Sequence, residues 1–229
     1  MRALIITGGK LEQLPDWLQP AAAGGRVGYD YLACADGGSN YARRLGLRPD
    51  LVVGDMDSVT PETLAWLRAL GTTMSVFRHD QKQESDTELA LLSAVRTGAR
   101  EIAILGALGG RLDHELANLA LLALPELVGC DVCVWDGNVA VCLLRAGKNK
   151  IQGKPGSLVS LIPFGGDARG VTTTGLQYPL HNETLLLNHS RGISNVMLAE
   201  EATVEIGDGL LLAIVDHATG PGLGQPAAK

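Results

Sequence analysis

The 229-residue chain has no long apolar run, no basic cluster, few aromatics and only four cysteines, and each shortage removes a class of protein. Its longest apolar stretch, around residues 116–124, is broken by Asn118 and is too short to span a bilayer, so no membrane partner is expected. No segment gathers five or six Lys or Arg, and the formal net charge is −6; a nucleic-acid groove, which depends on clustered cations, is therefore disfavoured. The opening "MRALIITGGK" has one basic residue before a very short apolar run, which reads as a first strand rather than a signal peptide, and a cytoplasmic location is expected. Cys130 and Cys133 form a C-x-x-C, but no second such pair or H-x-x-x-H accompanies them. The four cysteines are therefore expected to be reduced and packed as small hydrophobes. His79, His181, His189 and His217 are scattered without ligand spacing. Neither G-x-x-x-x-G-K-[ST] nor G-x-G-x-x-G occurs, so neither a P-loop nor a standard dinucleotide fingerprint applies.

What is present is a globular composition, 46% hydrophobic and 19% charged, with 29 glycines for tight turns. Through about residue 145, short β-rich runs alternate with helical periodicity. Strands are expected at 3–7, 31–35, 51–53, 74–77, 101–105 and 132–135, and helices at 39–45, 61–70, 86–97 and 113–124. That alternation predicts an α/β domain over 1–145, with a mostly parallel sheet flanked by helices. Thr60-Pro61 and the Ser85-to-Glu88 capping box mark two helix starts. Beyond a Gly- and Lys-rich stretch at 146–154, only strand-like segments follow, at 157–163, 171–174, 184–187, 196–199, 202–206 and 210–215. They predict a smaller all-β sandwich or barrel over 146–217. The Gly-, Pro- and Ala-rich tail, 218–229, is expected to be disordered.

Ligands of open parallel sheets bind outside the carboxyl ends of the strands. On that rim fall Asp36 in "ADGGSN", Asp55 and Asp57 in "VVGDMDS", and Asp80 and Asp86 in "DQKQESDTE". A single Asp after a strand is an ordinary cap, but several crowded together repel one another unless a cation sits among them. Oxygen-only ligands suit Mg²⁺ shared with phosphate. "GALGGRLDH" adds Gly106, Gly109 and Gly110, whose backbone can approach a phosphate closely, with Arg111 as a donor fork and Asp113 and His114 at a helix start.

The motifs "ADGGSN", "GDMDS", "DQKQESDTE", "GALGGRLDH" and "SRGISN", in that order over about residues 5–215, resemble the thiamine pyrophosphokinase (thiamin diphosphokinase) family. The resemblance implies an enzyme that moves a pyrophosphoryl group from ATP, as co-substrate, to the hydroxyl of thiamine, giving thiamine diphosphate and AMP. It further implies Mg²⁺ dependence and a homodimer with sites between subunits. Carried over by motif, Asp55, Asp57 and Asp86 would hold the metal and the ATP phosphates, Asp36 would lie near the acceptor, and Gly37 would be among the cofactor-binding residues. Arg111 and Asp113 would face the nucleotide; Ser194 and Asn195 would belong to the thiamine pocket. Some family members stack thiamine on a tryptophan of the β domain, whereas beyond Arg145 this chain has only Phe164 and Tyr178 as aromatics. Alternative readings are a diphosphokinase for another hydroxylated heterocycle such as a pterin, and a non-catalytic thiamine-binding regulator.

Overall fold

In the computed structural model, residues 1–18, 28–77 and 83–217 are described. His79, Asp80, Lys82 and the tail expected to be disordered lie outside them. The chain divides after Gly137 into two compact units. The change of sequence pattern near Arg145 lies one strand later.

The first unit runs β1 (Arg2–Ile6), β2 (Tyr31–Ala35), α1 (Gly38–Arg44), β3 (Leu51–Gly54), α2 (Pro61–Leu70), β4 (Thr73–Val76), α3 (Asp86–Arg96), β5 (Glu101–Leu105), α4 (Leu112–Ala120) and β6 (Asp131–Asp136). Its strands lie in the order β6-β5-β1-β2-β3-β4, and every pairing is parallel. Central β1 and β2 are buried at every position after their first, because helices cover both faces. Leu4, Ile5, Ile6, Leu32, Leu67 and Leu105 are fully buried, and Trp17 meets Trp135 edge-to-face at 5.6 Å. Both expected caps form. Thr60 Oγ1 accepts from the Thr63 amide ahead of Pro61, and Ser85 Oγ accepts from the Glu88 amide. Helix α4 stops at Ala120 instead of Leu124 and gives way to 3-10 turns at Leu121–Ala123 and Pro125–Leu127. Pro125 has no N–H to offer and its ring opposes a helical carbonyl one turn back, so an α-helix cannot run through it.

The second unit comprises β7 (Val139–Leu144), β8 (Gly147–Gln152), β9 (Leu158–Pro163), β10 (Ala168–Thr174), β11 (Glu183–Leu185), β12 (Asn195–Val196), β13 (Glu201–Ile206) and β14 (Leu211–Asp216). They pair antiparallel in two layers of four, β12-β9-β14-β7 and β11-β10-β13-β8. Val159, Leu161, Ala213 and Val215 from one layer and Val171, Leu185, Val204 and Ile206 from the other form one apolar core, which makes the unit a sandwich. The Gly/Lys stretch read as a break is β8. Only Ile151 of that strand is buried, so it carries little apolar pattern, yet it pairs with β13 over its whole length, from Gly147↔Ile206 to Gln152↔Glu201. Its exposed lysines suit an edge strand, where charge discourages pairing with another chain.

The expectation of four reduced cysteines needs correction. Cys34 and Cys130 are free thiols, whereas Cys133 and Cys142 are disulfide-bonded. Cys130 and Cys133 do not act as a C-x-x-C pair: Cys130 precedes β6 while Cys133 lies within it, and a three-residue offset in extended chain points side chains to opposite faces. No helix among the described residues is long and apolar enough to cross a membrane, which says nothing of strands.

Candidate functional site

The strand order reverses at β1, with β2, β3 and β4 added on one side and β5 and β6 on the other. The crevice outside the carboxyl ends of β1, β2 and β5 is therefore where an open parallel sheet offers a ligand site. A cleft of about 950 Å³ opens there. Most of the residues expected at the site line it: Asp36, Gly37, Asp86, Gly106, Gly110, Arg111, Asp113 and His114.

The acidic rim is built by two unusual backbone turns. Asp36, just past β2, has φ 41°, and Met56, just past β3, has φ 67°, a left-handed conformation that costs most side chains free energy. Met56 packs its side chain on the unit's core, so Asp55 and Asp57 flank an anchored residue. The Asp57 amide donates to Asp55 Oδ1 at 3.2 Å, and Ser58 Oγ donates to Asp57 Oδ1 at 2.9 Å. Gly54 takes φ 150°, and a Cβ there would stand 2.8 Å from Asp36 Cβ and 3.3 Å from the Asp86 carboxyl carbon. Glycine is what lets these two carboxylates approach the end of β3.

One carboxylate oxygen from each of Asp36, Asp55 and Asp57 lies within 4.8 Å of the others. Fully charged groups about 5 Å apart repel by about 3 kcal/mol at an effective dielectric of about 20, less toward solvent, so the bare cluster is strained electrostatically. Asp36 bears the effect most visibly. Burial pushes its carboxyl above the usual carboxylate range, a hydrogen bond with Ser58 opposes that, and the charges of Asp57, Asp55 and Asp86 push it up again. Its Oδ2 accepts from the Ser58 amide at 3.3 Å, while its buried Oδ1 has no partner among the described residues. An unpartnered buried carboxylate oxygen beside two more carboxylates is the donor set of a hard divalent cation. The expected metal trio was Asp55, Asp57 and Asp86. The structure groups Asp36 with Asp55 and Asp57, and puts Asp86 next to them at the start of α3.

Across the cleft, the loop after β5 presents its glycine backbone. Arg111, at the N-cap of α4, forks onto Asp113 with bonds of 3.1 and 2.6 Å, which raises the guanidinium pKa and lowers the carboxyl. Both side chains are exposed, so the pair can exchange partners at little cost. Asn118 closes the wall by donating to the Ala107 carbonyl at 2.9 Å. Gly109 does not line the cleft and instead packs under Lys10.

Sequence reasoning missed the segment Thr7-Gly8-Gly9-Lys10, which follows β1 and lines the cleft. Thr7 donates its hydroxyl to the Gly106 carbonyl, and the Gly9 amide reaches the same carbonyl at 2.9 Å. The available signal was a Gly-Gly-Lys directly after the first strand.

In the sandwich, Ser194 adopts φ 57° and its amide donates to Ser160 Oγ at 3.1 Å. Asn195 is buried, and its amide group is taken up by backbone. It accepts from the amides of Tyr178 and Val196 and donates to the Tyr178 carbonyl at 2.7 Å. Tyr178 itself is 57% exposed.

A protein that holds carboxylates together at the switch point of a parallel sheet, above a cleft walled by glycine backbone, is of the class that binds polyphosphates with a cation. Comparison with known proteins places the chain within that class. Residues 28–134 match the family model "Thiamin pyrophosphokinase, catalytic domain", and residues 148–211 match "Thiamin pyrophosphokinase, vitamin B1 binding domain". Thiamine pyrophosphokinase 1 of Arabidopsis thaliana is 31% identical over 212 residues, covering 82% of this chain and 78% of its own length. Thiamine pyrophosphokinase of Bacillus subtilis is 29% identical over 170 residues, covering 74% and 79%. The crystal structure of the Bacillus subtilis thiamine pyrophosphokinase superposes with a TM-score of 0.82 at 25% identity, over 94% of this chain and 99% of that one. The chain belongs to the thiamin pyrophosphokinase family.

Proposed function

We propose that the chain is a thiamine diphosphokinase, which transfers the pyrophosphoryl group of ATP to the hydroxyl of thiamine and releases AMP. The observation that carries the reading is the Asp36/Asp55/Asp57 cluster, of which Asp36 lines the cleft, in a chain of this family. The thiamine hydroxyl oxygen bonds to Pβ as the bond from Pβ to the α–β bridging oxygen breaks; AMP keeps that oxygen, and the hydroxyl proton passes to a carboxylate of the rim.

Asp36, Asp55 and Asp57 would hold Mg²⁺, with Asp86 beside them toward the phosphates. Bound there, Mg²⁺ supplies neutralisation of charge on the phosphate oxygens. Arg111, freed from Asp113, donates to the nucleotide, and the backbone of Gly37, Gly106 and Gly110 admits the phosphate chain at close range, with Gly109 supporting that loop and Asp113 and His114 at the nucleotide. In the sandwich, Ser194 and Asn195 serve the thiamine pocket, Asn195 by fixing the backbone of Tyr178. That tyrosine takes the place of the absent tryptophan and covers the cationic thiazolium or its neighbouring ring.

The working form is a homodimer with sites between subunits. Helix α4 supports this, since none of its residues is buried and Leu112 and Leu116, four apart on one face, are 69% and 60% exposed. Incubation with ATP, Mg²⁺ and thiamine should yield AMP and thiamine diphosphate. ADP with thiamine monophosphate, or an absence of AMP, would overturn the proposal.

A further inference from the structure

The Thr7–Lys10 segment has no role in the motifs that define the site, yet it occupies the centre of the cleft. Strand β1 lies between β2, which ends at Asp36, and β5, which leads into the Gly106–Arg111 loop. Whatever follows β1 therefore stands between the acidic rim and the glycine loop, where a chain of phosphates joining the two must run.

This segment is locked in place. The Thr7 amide donates to Leu105 O at 2.8 Å, and the Thr7 hydroxyl and the Gly9 amide converge on the Gly106 carbonyl. A Cβ on Gly9 would lie 2.2 Å from that carbonyl oxygen, and one on Gly8 would lie 3.7 Å from Gly37 Cα. The segment thus touches both neighbouring loops by backbone alone. Gly109 completes the arrangement: a Cβ there would come within 3.0 Å of Lys10 Cβ and 3.8 Å of its Cγ and Cδ, so the lysine stem runs across the glycine.

Among the described residues the head group of Lys10 has no partner to explain it. The cleft wall carries Asp36, Glu84, Asp86, Asp113 and Glu115, yet Lys10 forms no ion pair among the described residues, and its amide and that of Gly8 donate to no described acceptor. Arg111, the other Lys or Arg lining the cleft, is already taken by Asp113. A cation that pairs with none of the five carboxylates lining the same cleft, beside backbone donors without a described acceptor, is arranged for an anion that comes from outside.

We infer that Lys10 is a catalytic residue that contacts the polyphosphate of the donor nucleotide, with the Gly8 and Lys10 amides as accompanying donors. The inference rests on the diphosphokinase reading for the identity of that anion. Between the rim and Arg111, the ammonium neutralises charge on the phosphate chain as AMP departs.

The test compares wild type with Lys10→Ala and Lys10→Arg. With wild type making AMP and thiamine diphosphate, Lys10→Ala should lower kcat/KM for ATP roughly 100-fold, as loss of one preorganised donor does. The KM for thiamine and the melting temperature should not move, and Lys10→Arg should recover most of the loss. Activity of Lys10→Ala within twofold of wild type would overturn the inference, as would a loss accompanied by a collapsed melting temperature that Lys10→Arg does not repair. Absence of AMP from wild type would instead defeat the diphosphokinase reading, and calorimetric titration with ATP and Mg²⁺ then decides Lys10 by itself. Weaker binding by Lys10→Ala than by wild type upholds the contact, and equal binding overturns it.

Discussion

Asp36 sits in a left-handed turn that only glycine, asparagine and aspartate adopt readily, with one carboxylate oxygen buried and unpartnered. Burial and its acidic neighbours raise its folded-state pKa above the ordinary 3.8. Between those two values the folded chain holds more protons than the unfolded one, so this carboxyl lowers stability as pH rises through the window, and the loss is complete once pH exceeds the raised folded-state value. Asp36→Asn keeps the backbone conformation and removes the charge. In melts with EDTA, the variant should therefore be more stable than wild type at pH 7, and the difference should close below about pH 3.8, while turnover is lost. A variant less stable than wild type at pH 7 would mean that the carboxylate is held for the fold. Tyr178 makes the opposite kind of prediction. It is exposed and linked to the fold through its backbone, so Tyr178→Ala should leave the melting temperature alone and raise the KM for thiamine about tenfold, the scale of an aromatic contact with a cation. Steady-state kinetics in both substrates would check this, with the KM for ATP unchanged. Asp36, Asp55, Asp57 and Asp86 were legible in the sequence because each follows a strand-like run. The grouping of Asp36 with the Asp55/Asp57 pair was not, since it depends on two left-handed turns and on Gly54.

Among elements, the helices and central strands were legible wherever local signals agreed, as at α2, where Thr60, Pro61 and Gly71 mark both ends. Strand β8 was hidden because a single inward residue, Ile151, carries its burial, and its place is set by hydrogen bonds to β13. The β1 loop was hidden for a related reason: Thr7–Lys10 looks like an ordinary turn until the β5 loop packs against it. That packing supplies a test at this scale. Gly9→Ala would drive a Cβ to 2.2 Å from the Gly106 carbonyl oxygen, a backbone atom with little room to yield. The β1 and β5 loops should separate, with a lower melting temperature and weakened ATP binding by calorimetry but unchanged far-UV circular dichroism. Wild-type affinity for ATP in that variant would show that the interlock of the two loops does not matter for the cleft.

For the whole molecule, the dimer proposal puts the contact on α4, whose apolar Leu112 and Leu116 are exposed. Light scattering after size exclusion should report a dimer for wild type and a monomer for Leu112→Glu/Leu116→Glu, since charges in an apolar contact lose solvation without compensation. A wild-type monomer at micromolar concentration would refute the dimer. The sequence by itself determined the two-part architecture, the family and the identity of the rim carboxylates, because periodicity, caps and motif order are local properties of the chain. Only the tertiary structure decided which carboxylates are grouped, that Asn195 hydrogen-bonds the backbone of Tyr178, and that Lys10 lines the cleft between the acidic rim and the glycine loop. Those depend on parallel strands distant in sequence ending side by side, and strand order is set by how the sheet and its helices bury their apolar faces together, which no local pattern encodes.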